Sequence, residues 1–324
     1  MKRFLRRKIE AWARRRQGQD VPPFTLHARR IYILPTPFGA AFGTMLLVMF
    51  VAGVNYGNSM ALFLTFLLAA FMLVSMHQCH RNLLRVSFVS AAAAPAFAGT
   101  RGRLRVTLAN DAKVPRTGIE VSAQGGAASA DIHPHEQVQI DVPIPVPRRG
   151  RVRIDRLLVR TAQPFGLFRA WTWVHLPIDM IVYPRAHGTL PMPVESGQKA
   201  GARALAIAGA DEWMGLRPFR EGDSPRQVAW KAYARGAPLL IKEYSALGSE
   251  LRTFDYSKLS IPDTEARLEQ LTRWVVDAES RGERYALVIP GHRFEPEGGP
   301  EHRHQCLTAL ALHGQDAARA GDEP

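Results

Sequence analysis

One long stretch of the chain carries no charge. Between Ile31 and Met76 there is no Asp, Glu, Lys, Arg or His. It contains two apolar segments, Phe38–Val54 and Met60–Met76, separated by the short polar sequence Asn55–Ser59. Each segment is near the lower limit of about 17 residues that a helix needs to cross the hydrocarbon core of a bilayer. We therefore expect a two-helix transmembrane hairpin over residues 34–80. The alternative is a hydrophobic hairpin buried inside a soluble domain.

Positive charge is concentrated around this hairpin. The 324-residue chain has 42 Lys and Arg against 29 Asp and Glu, a formal net charge of +13. Arginines flank the hairpin on both outer sides (Arg29, Arg30, Arg81, Arg85), and the turn between the segments has none. Because basic flanks are retained in the cytoplasm, we expect both termini there. The basic segment 1–33 is expected to be cytoplasmic, either as a short helix on anionic lipid or as a solvated tail.

The two cysteines indicate a reducing compartment. Cys79 and Cys306 are far apart in sequence and do not resemble a disulfide framework. Cys79 also belongs to the sequence His77-Gln-Cys79-His80, at the end of the second apolar segment. A structural zinc site needs four ligands, and no second half of one is visible. We interpret these residues as polar groups at the membrane interface.

The hydrophobic period changes to two after the hairpin. Leu104, Val106 and Leu108 alternate with polar residues, and so do Val138, Ile140 and Val142. This pattern predicts about seven short strands in an antiparallel β-sandwich over residues 81–187. Ala91–Ala94 and Gly188–Gly201 are interpreted as loops. Residues 188–210 are expected to form a linker.

The last part of the chain alternates between strand and helix patterns. Strands are expected over Leu251–Phe254 and Tyr285–Ile289, and a helix capped by Asp263 or Thr264 lies between them. This order predicts a small α/β unit with a parallel strand pair within residues 211–313. Residues 314–324 are interpreted as a polar tail.

Charged and aromatic residues are densest between Asp211 and Tyr244. The sequence predicts a helix of about ten residues that starts at Pro225 after Ser224 and ends before Gly236. Its charges and aromatics favour either a docking surface or an internally salt-bridged structural helix. The candidate partner-binding residues are Arg217, Glu221, Asp223, Arg226, Trp230, Lys231 and Arg235.

The same stretch carries a family resemblance. The sequence G-D-S-P-R-Q-V-A-W-K-A-Y-A-R (Gly222 to Arg235) and the following L-L-I-K-E-Y (Leu239 to Tyr244) resemble the signature of the bacterial domain-of-unknown-function family number 58. Pro164–Phe168, Tyr183–Arg185 and the turn Asn55–Asn58 are also similar to that family. The resemblance covers most of the chain, from about Leu34 to Leu312.

The resemblance implies a protein of the bacterial inner membrane with no established catalytic activity. Members are usually encoded beside MoxR-type AAA+ ATPases and are proposed to assist the assembly of other proteins. It further implies a C-terminal part related to the von Willebrand factor A fold, here truncated. Many relatives of that fold bind a divalent cation through Asp-x-Ser-x-Ser, whereas this chain has Asp255 and Ser257 but Leu259 in place of the second serine.

We therefore expect a membrane-anchored scaffold or adaptor that docks a MoxR-type ATPase or a client protein. We expect no catalytic residues, no cofactor and no bound metal, because two oxygen ligands are too few for magnesium. The alternative is an enzyme or a metal-dependent binding protein that uses the same charged surface. Nucleic acid is not an expected partner, because the basic residues lie beside the apolar segments and not along a stripe with stacking aromatics.

Overall fold

The computed structural model describes residues 20–193, 211–218, 230–233, 236, 238, 240–246 and 252–315. Over 211–218 and 241–246 it describes the backbone alone. The chain divides into two compact units, Met1–Arg185 together with Ala311–Pro324, and Ala186–Leu310.

The first unit contains two long apolar helices. Helix α1 spans Pro37–Asn55 and helix α2 spans Ser59–Leu83. At 1.5 Å per residue they are about 28 Å and about 37 Å long, against a hydrocarbon core of about 30 Å. Most of their large apolar side chains are exposed in the protein. Both helices are therefore long and apolar enough to span a membrane, as the sequence predicted.

A mostly antiparallel β domain follows the helices. It has ten strands between residues 86 and 183, more than the seven expected, and two short strands that precede α1. Their bounds are β1 Phe24–Thr25, β2 Tyr32–Pro35, β3 Val86–Ala94, β4 Ala96–Phe97, β5 Arg101–Asn110, β6 Arg116–Ala123, β7 Gly126–Ile132, β8 Glu136–Pro145, β9 Gly150–Ile154, β10 Leu157–Thr161, β11 Phe168–Val174 and β12 Ile178–Tyr183.

The strands form three sheets around one hydrophobic core. Their orders are β1-β3-β5-β8, β2-β11-β10-β6-β7 and β4-β12-β9, and only the β4–β12 pair is parallel. Alternate residues of each strand point inward, as Leu104, Val106 and Leu108 do on β5. The expected loop over Ala91–Ala94 is wrong, because these alanines pair with β5 in one continuous ladder.

The end of α2 belongs to the core of the β domain. Cys79 and Leu83 are buried in the same hydrophobic cluster as the strands. The Cys79 thiol lies 3.4 Å from the carbonyl oxygen of Phe168, within hydrogen-bond distance for sulfur. The interpretation of Cys79 as an interfacial polar residue is therefore wrong. The expected hairpin ended at residue 80, but α2 continues to Leu83.

The turn before β11 holds the start of α1. Thr36 caps the helix by accepting a hydrogen bond from the Gly39 amide at 3.0 Å. Its hydroxyl donates to the carbonyl of Gly166 at 2.6 Å, and its amide donates to the carbonyl of Leu167 at 2.9 Å. A Cβ atom at Gly39 would lie 1.9 Å from that Leu167 oxygen. Only glycine fits there, because the backbones of helix and turn are in direct contact.

The residues before the hairpin form strands that complete two sheets of the β domain. Strand β1 pairs with β3, and β2 pairs with β11. Residues 24–35 therefore lie within the β domain, although most of them fall in the basic N-terminal segment expected over 1–33. The chain thus enters and leaves the helices through strands of one domain.

The second unit contains the predicted small α/β arrangement. Strand β15 (Arg252–Asp255) pairs in parallel with β16 (Tyr285–Ile289), and β17 (His292–Glu297) adds an antiparallel strand that was not predicted. Helix α4 (Thr264–Ser280) lies between β15 and β16 in sequence and has Asp263 as its N-cap; helix α5 (Pro300–Leu312) follows β17. The coarse α/β prediction and the parallel pair are confirmed.

One aromatic cluster fills the centre of this unit. Phe254 stacks on Tyr285 with 5.5 Å between ring centroids and lies 5.6 Å from the ring of Trp274. Leu268, Leu271 and Val275, which lie on one face of α4, are also buried.

The first residues of the expected linker contact α4. Residues 188–193 have no helix or strand. The amide of Leu190 donates to Gln270, and its carbonyl accepts from the indole of Trp274 at 3.1 Å. This part of the linker is therefore fixed on the α/β unit.

Candidate partner-binding surface

Two strands frame the charged stretch in the second unit. Strand β13 (Asp211–Pro218) pairs antiparallel with β14 (Leu240–Ala246), with a bulge between Trp213 and Gly215. Arg217 lies opposite Ile241 in this ladder. The two ends of the charged stretch are therefore paired with each other as strands.

An exposed aromatic pair lies between these strands in sequence. Trp230 and Tyr233 are at the two ends of the short helix α3 (Trp230–Tyr233), and their ring centroids are 6.4 Å apart at 83°. Trp230 is 56% exposed and Tyr233 is 52% exposed. Exposed tryptophan and tyrosine side chains are typical anchors of protein–protein interfaces because they bury large areas on binding. The pair is a candidate anchor.

The described helix ends at Tyr233, two residues before the predicted end, and residues 225–229 and 234–235 of the predicted helix lie outside the described residues. Gly236 has φ +87°, a conformation that glycine adopts readily, and its amide donates to the carbonyl of Tyr233 at 3.0 Å. Of the predicted partner-binding residues, Trp230 is exposed and Arg217 is placed on β13. Lys231 lies in α3, and its side chain is outside the described part of the structure. Glu221, Asp223, Arg226 and Arg235 lie outside the described residues.

Sequence reasoning missed a groove on the β domain. It is an open depression of about 820 Å³ on the outer face of the sheet that contains β10 and β11. Arg156 lies over the ring of Trp173 at 4.9 Å, and Arg160 pairs with Glu120 at 2.5 Å. The alternation in Arg169-Ala-Trp-Thr-Trp173 was the available signal, because it places both tryptophans on the face opposite the core.

The position expected to resemble a cation-binding loop is a local cap. Asp255 ends β15 and accepts hydrogen bonds from the amide and the hydroxyl of Ser257 at 2.8 and 2.6 Å. Burial acts to raise the pKa of Asp255, but these hydrogen bonds and nearby Lys258 lower it below its usual value. Within the described residues, no group of three His, Cys, Asp or Glu side chains is arranged to hold a metal ion.

A buried cluster in the α/β unit bears on the enzyme alternative. The Nε2 atom of His302 is 2.9 Å from the carbonyl oxygen of Tyr285 and 3.6 Å from the thiol of Cys306. Burial, with a smaller contribution from Glu297, raises the pKa of Cys306 to about 12. A nucleophilic cysteine needs a thiolate. The cluster therefore holds a packed neutral thiol.

We expect Cys306 to resist alkylation in the native protein. Because its pKa is far above neutrality and the side chain is buried, iodoacetamide at pH 8 should leave it unmodified until denaturant is added. Peptide mass spectrometry before and after unfolding measures this. Rapid native labelling of Cys306 would contradict the assignment of a packed thiol.

Comparison of the chain with protein-family models, curated proteins and solved structures found no match.

Proposed function

We propose that this protein is a membrane-anchored scaffold or adaptor that docks a protein partner through the surface around Trp230 and Tyr233. The observation that carries the proposal is the exposed aromatic pair in the charged stretch between β13 and β14. Aromatic anchors supply affinity, and charges around them steer and orient the partner.

The membrane anchor is supported by α1 and α2. Their apolar side chains are exposed, which is costly in water for so large an area and favourable in lipid. Both helices are attached to the β domain, α1 through Thr36 and α2 through Cys79 and Leu83. The anchor is therefore built into the fold.

The particular location and partner follow from charge and resemblance. Arginines occur at the β-domain side of the hairpin, and the turn Asn55–Ser59 has none. This pattern favours both termini in the cytoplasm, and the family resemblance implies the bacterial inner membrane. The partner we propose is an ATPase of the MoxR type. The α/β unit is proposed to be a truncated relative of the von Willebrand factor A fold.

The test is recovery of partners from native membranes with full-length variants. Trp230→Ala with Tyr233→Ala removes the aromatic anchor, and Asp223→Lys with Arg226→Glu reverses two predicted charges. We expect each double variant to lose at least about tenfold of the recovered ATPase, because truncating an anchor costs about 2 kcal/mol or more. Quantitative mass spectrometry of the purified material measures the loss.

The matched control is Arg293→Glu with Glu295→Lys. This pair lies on β17 of the same unit, is more than 70% exposed, and undergoes the same kind of charge exchange. Circular dichroism and thermal unfolding establish that all variants are folded. Equal ATPase recovery with the folded aromatic variant and the control would refute docking at this surface.

A further inference from the structure

Three arginines meet at the junction of α2 and the β domain. Arg116, the first residue of β6, donates a hydrogen bond from Nη1 to the carbonyl of Arg81 near the end of α2. The residues that follow Arg81 and Arg116 form two hydrogen bonds with each other. The Asn82 side chain donates to the carbonyl of Thr117 at 2.7 Å and accepts from its amide at 3.0 Å. Arg85 is two residues beyond Leu83, the last residue of α2. These contacts hold Arg116 beside the end of α2, close to Arg81 and Arg85.

Arg116 is buried without a counter-charge from the described residues. It is 7% exposed, and its Nε atom is buried without a hydrogen-bond partner. Burial lowers its pKa, and the nearby charges that lower it further are Arg81 and Arg85. By contrast, Arg30 of the same domain has a carboxylate, Asp20, at 2.7 Å. A buried cation beside two others is unfavourable unless an anion joins them.

The position of the cluster along α2 indicates the source of that anion. Arg81 is five residues beyond Met76, the last residue of the apolar run, so its backbone lies about 7 Å further along the helix. The headgroup layer extends about 5–7 Å beyond the hydrocarbon core. Side chains on a helix tilt toward its N-terminus, which for α2 is toward the apolar segment. Arg81 is exposed at this level of the helix, within reach of lipid phosphates, and Arg85 is exposed and close enough to Arg116 to lower its pKa.

We propose that Arg81, Arg85 and Arg116 form a binding site for the phosphate headgroup of an anionic phospholipid. The site rests on the proposed membrane anchor and adds a specific lipid to it. The exposed guanidinium groups of Arg81 and Arg85 contact the phosphate oxygens, which match their planar donors. Arg116 lies behind them and gains the missing counter-charge. The bound lipid thereby stabilises the junction between α2 and β6.

The experiment uses the full-length protein in neutral detergent. Phosphatidylglycerol, phosphatidylcholine with the same acyl chains, and inorganic phosphate are added separately. Native mass spectrometry counts retained lipid, and thermal unfolding measures stabilisation. We expect phosphatidylglycerol to be retained and to raise the unfolding temperature, because a ligand that binds the folded state stabilises it. We expect the other two additions to have little effect. Stabilisation by inorganic phosphate equal to that by the lipid would overturn the lipid as its source.

Arg81→Gln with Arg85→Gln should lower phosphatidylglycerol retention about tenfold or more, since each arginine near an anionic headgroup contributes to binding. The control is Arg101→Gln with Arg103→Gln. These two arginines lie on β5 at the end opposite Asn110, which pairs with Val86 beside Arg85. The charge change is the same, and the control sites are roughly 25–30 Å away along the strand. Equal loss in both variants would overturn a specific site.

The variant Arg116→Met tests the role of the buried arginine. Without anionic lipid we expect it to raise the unfolding temperature, because it removes a buried cation that lacks a counter-charge. With phosphatidylglycerol we expect its lipid-dependent gain to be smaller than that of the native protein. A lower unfolding temperature without lipid and an unchanged lipid-dependent gain would together contradict the role of Arg116.

Reconstitution separates this inference from the membrane anchor. If the native protein resists alkaline extraction from phosphatidylcholine vesicles but does not discriminate between the two lipids in detergent, the anchor is supported and the headgroup site is refuted. If it is extracted from the vesicles, the anchor itself fails.

Discussion

Gly39→Ala should destabilise the junction between α1 and the β domain by about 3 kcal/mol. The added methyl would lie 1.9 Å from the carbonyl oxygen of Leu167 and 2.8 Å from its carbonyl carbon. Both are backbone atoms, so no side-chain rotation relieves the clash, and the helix and the turn must separate. Separation also stretches the hydrogen bonds of Thr36 to Gly166 and Leu167. Thermal unfolding of the full-length protein in detergent measures the loss.

Gly43→Ala on the same helix is the matched control. Its added methyl would lie 3.5 Å from the terminal methyl of Met72, an ordinary van der Waals distance. Alanine is a better helix former than glycine by about 1 kcal/mol, so this variant should be neutral or more stable. Equal stability of the two variants would show that the contact between Gly39 and Leu167 does not limit the fold.

Glu283→Ala should destabilise the α/β unit by about 3 kcal/mol. The side chain of Arg252 is 7% exposed, and Glu283 accepts from its Nε at 2.5 Å and from its Nη2 at 3.2 Å. Arg252 also donates to the carbonyl of Pro193 at 3.0 Å. Removing the carboxylate takes two hydrogen bonds and a negative charge from a buried guanidinium, which costs more than the pair contributes. Hydrogen exchange of α4 peptides reports the local free energy of opening.

The double variant Arg252→Met with Glu283→Ala isolates the buried charge. We expect it to recover part of the stability lost by Glu283→Ala, because the methionine carries no unpaired charge. Glu295→Ala, which breaks the exposed pair with Arg293, should change little, since such pairs contribute about 0–1 kcal/mol. If Arg252→Met lowered the stability of the Glu283→Ala variant as much as it lowers that of the native protein, the two side chains would not be coupled.

Local patterns in the sequence were sufficient for the elements whose partners are close along the chain. Helix α4 was predicted between two strands, and Asp263, one of its two predicted caps, is the observed N-cap. Strand β16 was predicted at its observed bounds because its residues are almost continuously apolar. The hairpin was equally clear, since each of the two uncharged apolar segments is long enough for a helix that spans a bilayer.

Long-range pairing explains the elements that were missed. Alanine has little intrinsic preference for strands, but Ala91–Ala94 extend β3 because β5 offers a ladder along its whole length. Strands β1 and β2 find their partners beyond the hairpin, so no neighbouring residue signals them. Cys79 is polar in sequence context, and only the contact with Phe168 makes it a core residue.

For the candidate surface, the sequence identified charged and aromatic residues, and the structure shows that two of the aromatic residues are exposed. Trp230 and Tyr233 lie three positions apart in the sequence, and their rings pack against each other. Their exposure was not predictable, because aromatic residues at helical spacing also occur in cores. The arginine cluster on α2 and β6 was not predictable either, since Arg81 and Arg116 are brought together by sheet topology.

Strand β2 precedes the hairpin, β3 follows it, and both belong to one folded domain. The finished fold therefore requires both ends of the hairpin to lie on the same side of a bilayer. A hairpin that left one end on the wrong side of a bilayer would separate β2 from β11 and leave both edges unpaired. For the proposed membrane anchor, this means that the β domain can close only after both helices have inserted and returned. Folding then becomes a checkpoint for correct insertion: a chain with one failed crossing keeps exposed strand edges, which quality-control proteases and chaperones recognise.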